Sequence, residues 1–273
     1  MGALRRVGVI ARYEWNRAIA KKTFLALVIL AVVFQTLVIV GDYELYRLGA
    51  YLGTSNNFVW TSTLVAGVGQ VFFIPLIAII IAGGSMSEEY EHGTADLVLS
   101  KPISRIEYLF GKFLGGFSLL VMVEAIITVV GVVLSIGFFG AQSSVQFAPL
   151  TFLAIAYSSL IFFCLSFMFS EVLRGTTVAM LLAFAIYIAS GVITPILDYL
   201  YGAVSRAVPT WATTSFPGLL MSELITPLSS NGLPAVDTEA LCEAALFIAV
   251  YSIVFIIIAA YRLLKSDVTK RTD

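Results

Sequence analysis

Long apolar runs separated by short polar ones set the character of this chain. Six runs are long enough to cross a bilayer as helices, because a hydrocarbon layer of roughly 30 Å takes about 20 residues. They cover residues 24–40, 64–82, 109–136, 151–169, 176–197 and 241–264. The third run has length to spare for a tilt, a break or an extension beyond the membrane. Ahead of the first, Leu4, Val7, Gly8, Ala11, Trp15, Ala18 and Ile19 recur at helical spacing, while Arg5, Arg6, Arg12 and Arg17 point elsewhere. That pattern predicts an amphipathic helix within residues 1–23 lying in the headgroup plane. A plain basic anchor that only sets topology is compatible with it.

Basic residues orient the spans. Arg5, Arg6, Arg12, Arg17, Lys21 and Lys22 precede the first run, and Lys101, Arg105 and Lys112 lie around the second connection. Arg174 sits between runs four and five, and Arg262, Lys265, Lys270 and Arg271 close the chain. Only Arg47 and Arg206 fall on the opposite side. Cytoplasmic loops hold the positive charge, so both termini are expected inside, which needs an even number of spans. The expected fold is therefore an all-α membrane protein with six transmembrane helices, a single domain over 1–273. A cleaved signal peptide is the rival for the N-terminus. The 23 residues before the first run are long for one, and Gly41-Asp42-Tyr43-Glu44 offers no clear small-residue cleavage site.

Composition agrees with this picture. Of 273 residues, 59% are hydrophobic and 12% charged, and the mean hydropathy is +0.97. Soluble domains carry about twice that share of charge. A net charge of −1 gives no reason to expect a nucleic-acid partner. Cys164 and Cys242 lie far apart without metal or redox spacing. His92, the only histidine, has no neighbouring ligand set, so no metal site is expected.

The polar stretch from Ser85 to Arg105 carries the most information. Ser87 to Glu91 reads as a short acidic helix that Gly93 can stop. Thr94 can cap a second helix with Leu97, Val98 and Leu99 on its apolar side, and Pro102 ends it. Ser104 and Glu107 stand at capping-box spacing before the third run. A short kinked helical segment between two spans transmits a push that a loose loop would absorb.

The run Glu88, Glu91, Gly93, Thr94, Leu97, Leu99, Ser100, Pro102, Ser104, Arg105, Gly111 and Lys112 resembles the signature of permeases of the type-2 ABC exporter class. The layout of the whole chain resembles theirs too. The resemblance implies a coupling segment over 83–108, with Glu88, Glu89, Glu91, His92, Gly93, Thr94, Leu97, Leu99, Pro102 and Arg105 meeting a separate ATPase subunit. It also implies two copies of the unit, or one copy and a paralogue, in the cell membrane, and short re-entrant helices within 198–240 that cap the pathway outside, where the residues alone equally allow an ordered external loop. ATP and Mg are then held by the partner. The sole Gly-Lys pair, Gly111-Lys112, has Ile106 and Phe113 where a Walker A loop needs Gly and Ser or Thr. No cofactor is expected on this chain itself.

Within the spans, Glu124 lies mid-way along the third run. A carboxylate there costs about 2.5–3.5 kcal/mol on insertion scales. It either lines a translocation path or a dimer contact, or sits as a protonated carboxyl bonded to a neighbouring helix. Gln70 and Pro75 mark the second run, where a kink is expected. Gly111 and Gly115 permit close helix approach. Glu171 and Arg174 are expected in a solvated turn, with pairing at a helix end or contact with the ATPase as alternatives.

The leading functional expectation is the membrane subunit of an ATP-driven exporter. An ATP-independent channel or secondary transporter, or a non-transporting immunity or assembly protein, is the alternative. An intramembrane enzyme would need groups that the runs lack, which hold no Asp and no Gly-x-Ser-x-Gly. The apolar spans suit a lipid, hydrophobic drug or peptide better than a charged solute.

Overall fold

The computed structural model describes residues 3–49, 59, 63–64, 72–94, 103–143, 145–225 and 238–265. All regular structure among them is helical. In chain order the helices are α1 Ala3–Ile19, α2 Lys22–Arg47, α3 Ile74–Gly83, α4 Ser87–Glu91, α5 Arg105–Phe139, α6 Ala148–Ser158, α7 Leu160–Leu173, α8 Thr176–Tyr201, α9 Pro209–Ile225 and α10 Thr238–Lys265. Short 3₁₀ turns stand at Val145–Phe147 and Gly202–Ala207.

Five described segments are long and apolar enough to cross a membrane: α2, α5, the continuous stretch Val145–Leu173, α8 and α10. Each matches one of the six expected runs. The second run, 64–82, is described at Leu64, at Phe72 and Phe73 and as the ten-residue α3, so its full length lies outside the described residues. α5 is longer than its apolar run because the capping box places its start at Arg105. The Ser104 hydroxyl accepts from Glu107 N at 3.1 Å, and Ser104 N donates to Glu107 Oε2 at 3.1 Å.

α7 is the hub. Ten of its fourteen residues are buried, and it packs against α3, α8 and α10. Apolar side chains gain little by leaving lipid for protein, so close fit and polar glue hold such a bundle together. Phe113, Phe117, Phe163 and Phe167 interlock, with ring centroids 5.4–5.7 Å apart in three edge-to-face pairs between α5 and α7. The Ser166 hydroxyl donates to the Ile79 carbonyl at 2.8 Å, tying α7 to α3. By contrast α2 buries only a narrow stripe, Phe24, Ala31, Gln35 and Ile39, and most of α8 and α10 faces outward. At the far end, the aromatics Trp211 and Phe216 of α9 pack over Ile161, Ala212 and Ile248.

α1 docks lengthwise on the first turns of α5. The glycine pair makes this possible: a Cβ on Gly111 would lie 2.7 Å from Ile10 Cβ, and one on Gly115 would lie 2.8 Å from the Ala11 carbonyl oxygen. The docked face differs from the expected apolar stripe. Ile10 and Glu14 are buried with Arg17 turned inward, while Leu4, Gly8 and Ile19 remain exposed beside Arg5 and Arg12. Arg17 does leave the apolar stripe, but it enters protein instead of water. The carboxylates waiting for it on α1 and α4 are the reason.

Candidate functional site

The site is built around α4, a helix of five residues whose sequence is Ser-Glu-Glu-Tyr-Glu. So short a helix has no independent stability, because almost all its peptide groups are terminal ones. Its neighbours supply the missing partners. The Ser170 hydroxyl of α7 accepts from Met86 N at 3.0 Å and Ser87 N at 2.8 Å. At the other end Gly93 adopts φ +66°, a left-handed conformation that glycine takes at little cost, and the chain turns out of the helix as its pattern predicts.

Successive residues of a helix point about 100° apart, and α4 spreads its side chains over the helices around it. Ser87 donates to the Gly83 carbonyl at 2.6 Å and its hydroxyl lies 2.9 Å from that of Thr176. Glu88 pairs with Lys21 and lies 3.7 Å from Arg17, both on the α1 side. Glu89 turns inward to α5, where it pairs with Lys112 and accepts from the Tyr108 hydroxyl. The Tyr90 hydroxyl donates to Glu171 of α7 at 2.8 Å, and the Arg174 guanidinium stacks 4.5 Å from its ring. Glu91 accepts from Thr176 N at 2.7 Å and from the Thr176 hydroxyl at 2.9 Å, at the first turn of α8.

Behind α4 lies a dry ionic knot. Lys112, 1% exposed, pairs with both Glu89 and Glu14 and donates to the Ser85 carbonyl at 3.1 Å. Arg17 donates to Glu14 at 2.8 Å and to the carbonyls of Gly84 and Ser85 at 3.1 and 3.0 Å, closing the end of α3. Burial pushes the Glu14 carboxyl up, and the cations of Lys112 and Arg17 pull it part of the way back. Burial works against the charge of Arg17, yet Glu14, Glu88 and Glu89 outweigh it and hold the guanidinium above its ordinary value. Burial, then the Glu171 carboxylate, raises the Tyr90 hydroxyl, which stays a neutral donor. On the flank, Arg6 of α1 grips Glu107 at 2.6 and 3.1 Å.

The expected site residues thus divide. Glu88, Glu89, Glu91 and Arg105 come together around α4 and α5 and bond to groups of the chain itself, Glu91 from an exposed position. Arg105 donates to the carbonyls of Leu263 and Leu264 at 2.9 and 3.1 Å, at the last turn of α10. His92 is exposed, with Nδ1 2.7 Å from the Glu88 carbonyl, and Gly93 and Thr94 follow it at the surface. Leu97, Leu99, Pro102 and Gln70 lie outside the described residues. Glu124 is fully buried; the Thr128 hydroxyl reaches it at 3.4 Å, and its Oε2 has no hydrogen-bond partner.

The solvated turn expected at Glu171 and Arg174 is not what forms. Glu171 is wholly buried under Tyr90. Glu14, Lys112, Tyr108, Ser170 and Thr176 had not been expected at the site. Their signal was present in part: Ile10, Glu14, Arg17 and Lys21 recur at helical spacing, and a lysine or glutamate at the edge of an apolar run calls for a partner.

Residues 9–268 match the family described as ABC-2 family transporter protein. The chain belongs to this family. An uncharacterized protein of Bacillus subtilis (strain 168), YhcI, is 22% identical over 242 residues, covering 82% of this chain and 70% of the relative. ABC-2 family permeases are membrane transport subunits that work with ATPase partners. With five apolar membrane-length segments among the described residues, this ABC-2 chain is a multi-pass membrane protein.

Proposed function

We propose that this permease is the transmembrane subunit of an ATP-driven exporter in the cell membrane, with both termini in the cytoplasm. Its 85–105 segment takes the push of a separate ATPase subunit, which binds ATP and Mg. The observation that carries this reading is the asymmetry of α4. Glu88, Glu89 and Tyr90 are bonded to α1, α5 and α7, while the C-terminal tip is exposed at Glu91, which bonds Thr176 of α8, and at His92. An element fixed on one side and presented on the other can pass a displacement into the bundle.

Two copies form the path in this reading. The outward faces of α2, α8 and α10 leave apolar surface for a second copy and for lipid. A recess of about 380 Å³ beside α8, lined by Phe72, Tyr187, Thr194, Pro195, Thr210 and Thr214, joins an apolar wall to a few hydroxyls, as small-molecule sites do. The exposed strip Leu4, Gly8 and Ile19 of α1, with Arg5 and Arg12 beside it, suits the headgroup layer. Glu124 contributes a polar position on the buried face of α5.

Affinity purification from native membranes tests the reading. An ATPase subunit should co-purify, and replacing 87–94 with a Gly-Ser linker should release it or abolish transport-linked ATP hydrolysis. Reproducible absence of any ATPase sinks the exporter and favours a channel, secondary transporter or immunity protein.

A further inference from the structure

We infer that Arg174 is a positioning residue through which the seat of α4 sets where α7 ends and α8 begins. α4 sits in the elbow between these two helices. Ser170 of α7 accepts from Met86 N and Ser87 N, and Glu171 accepts from the Tyr90 hydroxyl at 2.8 Å. The Arg174 guanidinium lies 4.5 Å from the centre of the Tyr90 ring. Thr176, the first residue of α8, is bonded to Ser87 and Glu91.

The elbow goes against its own local preferences. Among the described residues Arg174 is the non-glycine with a positive φ, 55°, a left-handed conformation that costs a residue with a side chain. Helices commonly end on a glycine in that conformation. Gly175 is next in the chain, yet it is extended at φ −125° and serves as the N-cap of α8, without a side chain to accept a hydrogen bond. Moved on by one residue, the same turn would suit the sequence. Gly175 would take the left-handed position, and the Thr176 hydroxyl would stand at the N-cap, facing the first free N–H groups of α8.

α4 holds the observed register. The stack on Tyr90, within the roughly 6 Å over which a cation is attracted to a ring, needs Arg174 where it is. The bonds from Glu91 need Thr176 N at the start of α8. Local sequence and tertiary contact thus oppose each other at one pair of residues, which makes the turn a two-state element. Withdrawal of α4 passes the left-handed position to Gly175, lengthens α7 by one residue and frees Thr176. The inference rests on the exporter reading for its use: a push on α4 becomes a change of register between α7, the hub of the bundle, and α8.

Its test needs neither ATP nor a partner. Leu-Arg occurs at Leu4-Arg5 and Leu173-Arg174 only. Leucine labelled at the carbonyl carbon and arginine labelled at nitrogen, in an R5K background, therefore isolate the Leu173–Arg174 peptide by solid-state NMR of the full chain in lipid bilayers. The parent should give one signal, from left-handed Arg174. Y90A removes the stack and should raise the population of a second, helical signal about tenfold. E91A changes an exposed residue, should raise it less, and makes the same test if Y90A does not fold.

The decisive variants add G175A. A Cβ on Gly175 meets nothing closer than 3.9 Å in the observed turn, whereas alanine resists the left-handed conformation that the other register needs. Y90A/G175A and E91A/G175A should both return to the single signal. A second signal that persists beside G175A means that Arg174 is only loosened, and the inference is wrong. A folded Y90A, or E91A in its place, with one signal overturns it as well. Failure of an ATPase to co-purify bears on the exporter reading and leaves these signals unaffected.

Discussion

Two buried polar regions of this molecule are handled in opposite ways. At the α4 end, Glu14, Arg17, Glu89 and Lys112 share one dry pocket, and each carries an opposite charge within reach. Glu124, further along α5, and Gln35 of α2 are equally buried. Gln35 has no partner for either amide atom, and Glu124 has only Thr128. A buried amide without a hydrogen bond costs roughly 2–7 kcal/mol, depending on the reference state. The contrast teaches that charge inside this bundle is arranged by position. Complementary groups lock elements where α1, α4 and α5 meet, while isolated polar groups stand further along α5 and on α2.

The largest effect should come from breaking the knot. Lys112→Met leaves two carboxylates buried without their shared cation, and unfolding in detergent should show a loss of about 3–5 kcal/mol. Adding Glu14→Gln and Glu89→Gln should recover most of it, since removing a buried charge set together is far milder than orphaning part of it. A triple variant as unstable as the single one would show that packing, and not charge, holds this region.

Next in size is the docking of α1. A valine at Gly115 meets the backbone of Ala11, which has nowhere to go, so G115V should cost about 1–3 kcal/mol and open α1 to proteolysis at the exposed Arg12. Unchanged protease resistance would mean that α1 is held by its ion pairs alone. The isolated polar groups should respond more weakly. Gln35→Leu removes two unpaired polar atoms and should leave stability equal or raise it by about 1 kcal/mol. A clear drop in denaturation temperature would show that the amide has a partner such as an internal water. Smallest of all, Arg47→Ala breaks only an exposed pair with Glu44 and should change stability by less than about 1 kcal/mol in the same unfolding measurement.

Local signals were readable in advance wherever one stretch of chain carries its own reason. Gly93 ends α4 because the residue needs positive φ, and Ser104 with Glu107 starts α5 because both halves of the box lie three residues apart. The capping box also accounts for the early start of α5, ahead of its apolar run. Partner choice was not readable. Glu88, Glu89 and Glu91 look alike in the sequence, yet they go to α1, α5 and α8. Glu171 looked like a turn residue because nothing near it in the chain predicts Tyr90, which is 81 positions away.

The sequence by itself determined that the chain is a set of membrane-length helices with a short acidic helix set between two of them. Those properties depend on length, hydropathy and neighbours within about four positions. Only the tertiary structure decided that α1 lies along α5 with Arg17 turned inward, that Lys112 is shared by two carboxylates, and that α8 is capped by Glu91. The physical reason is that a charge announces its need for a partner but carries no address. Which partner it meets depends on how close glycines such as Gly111 and Gly115 let the helices come.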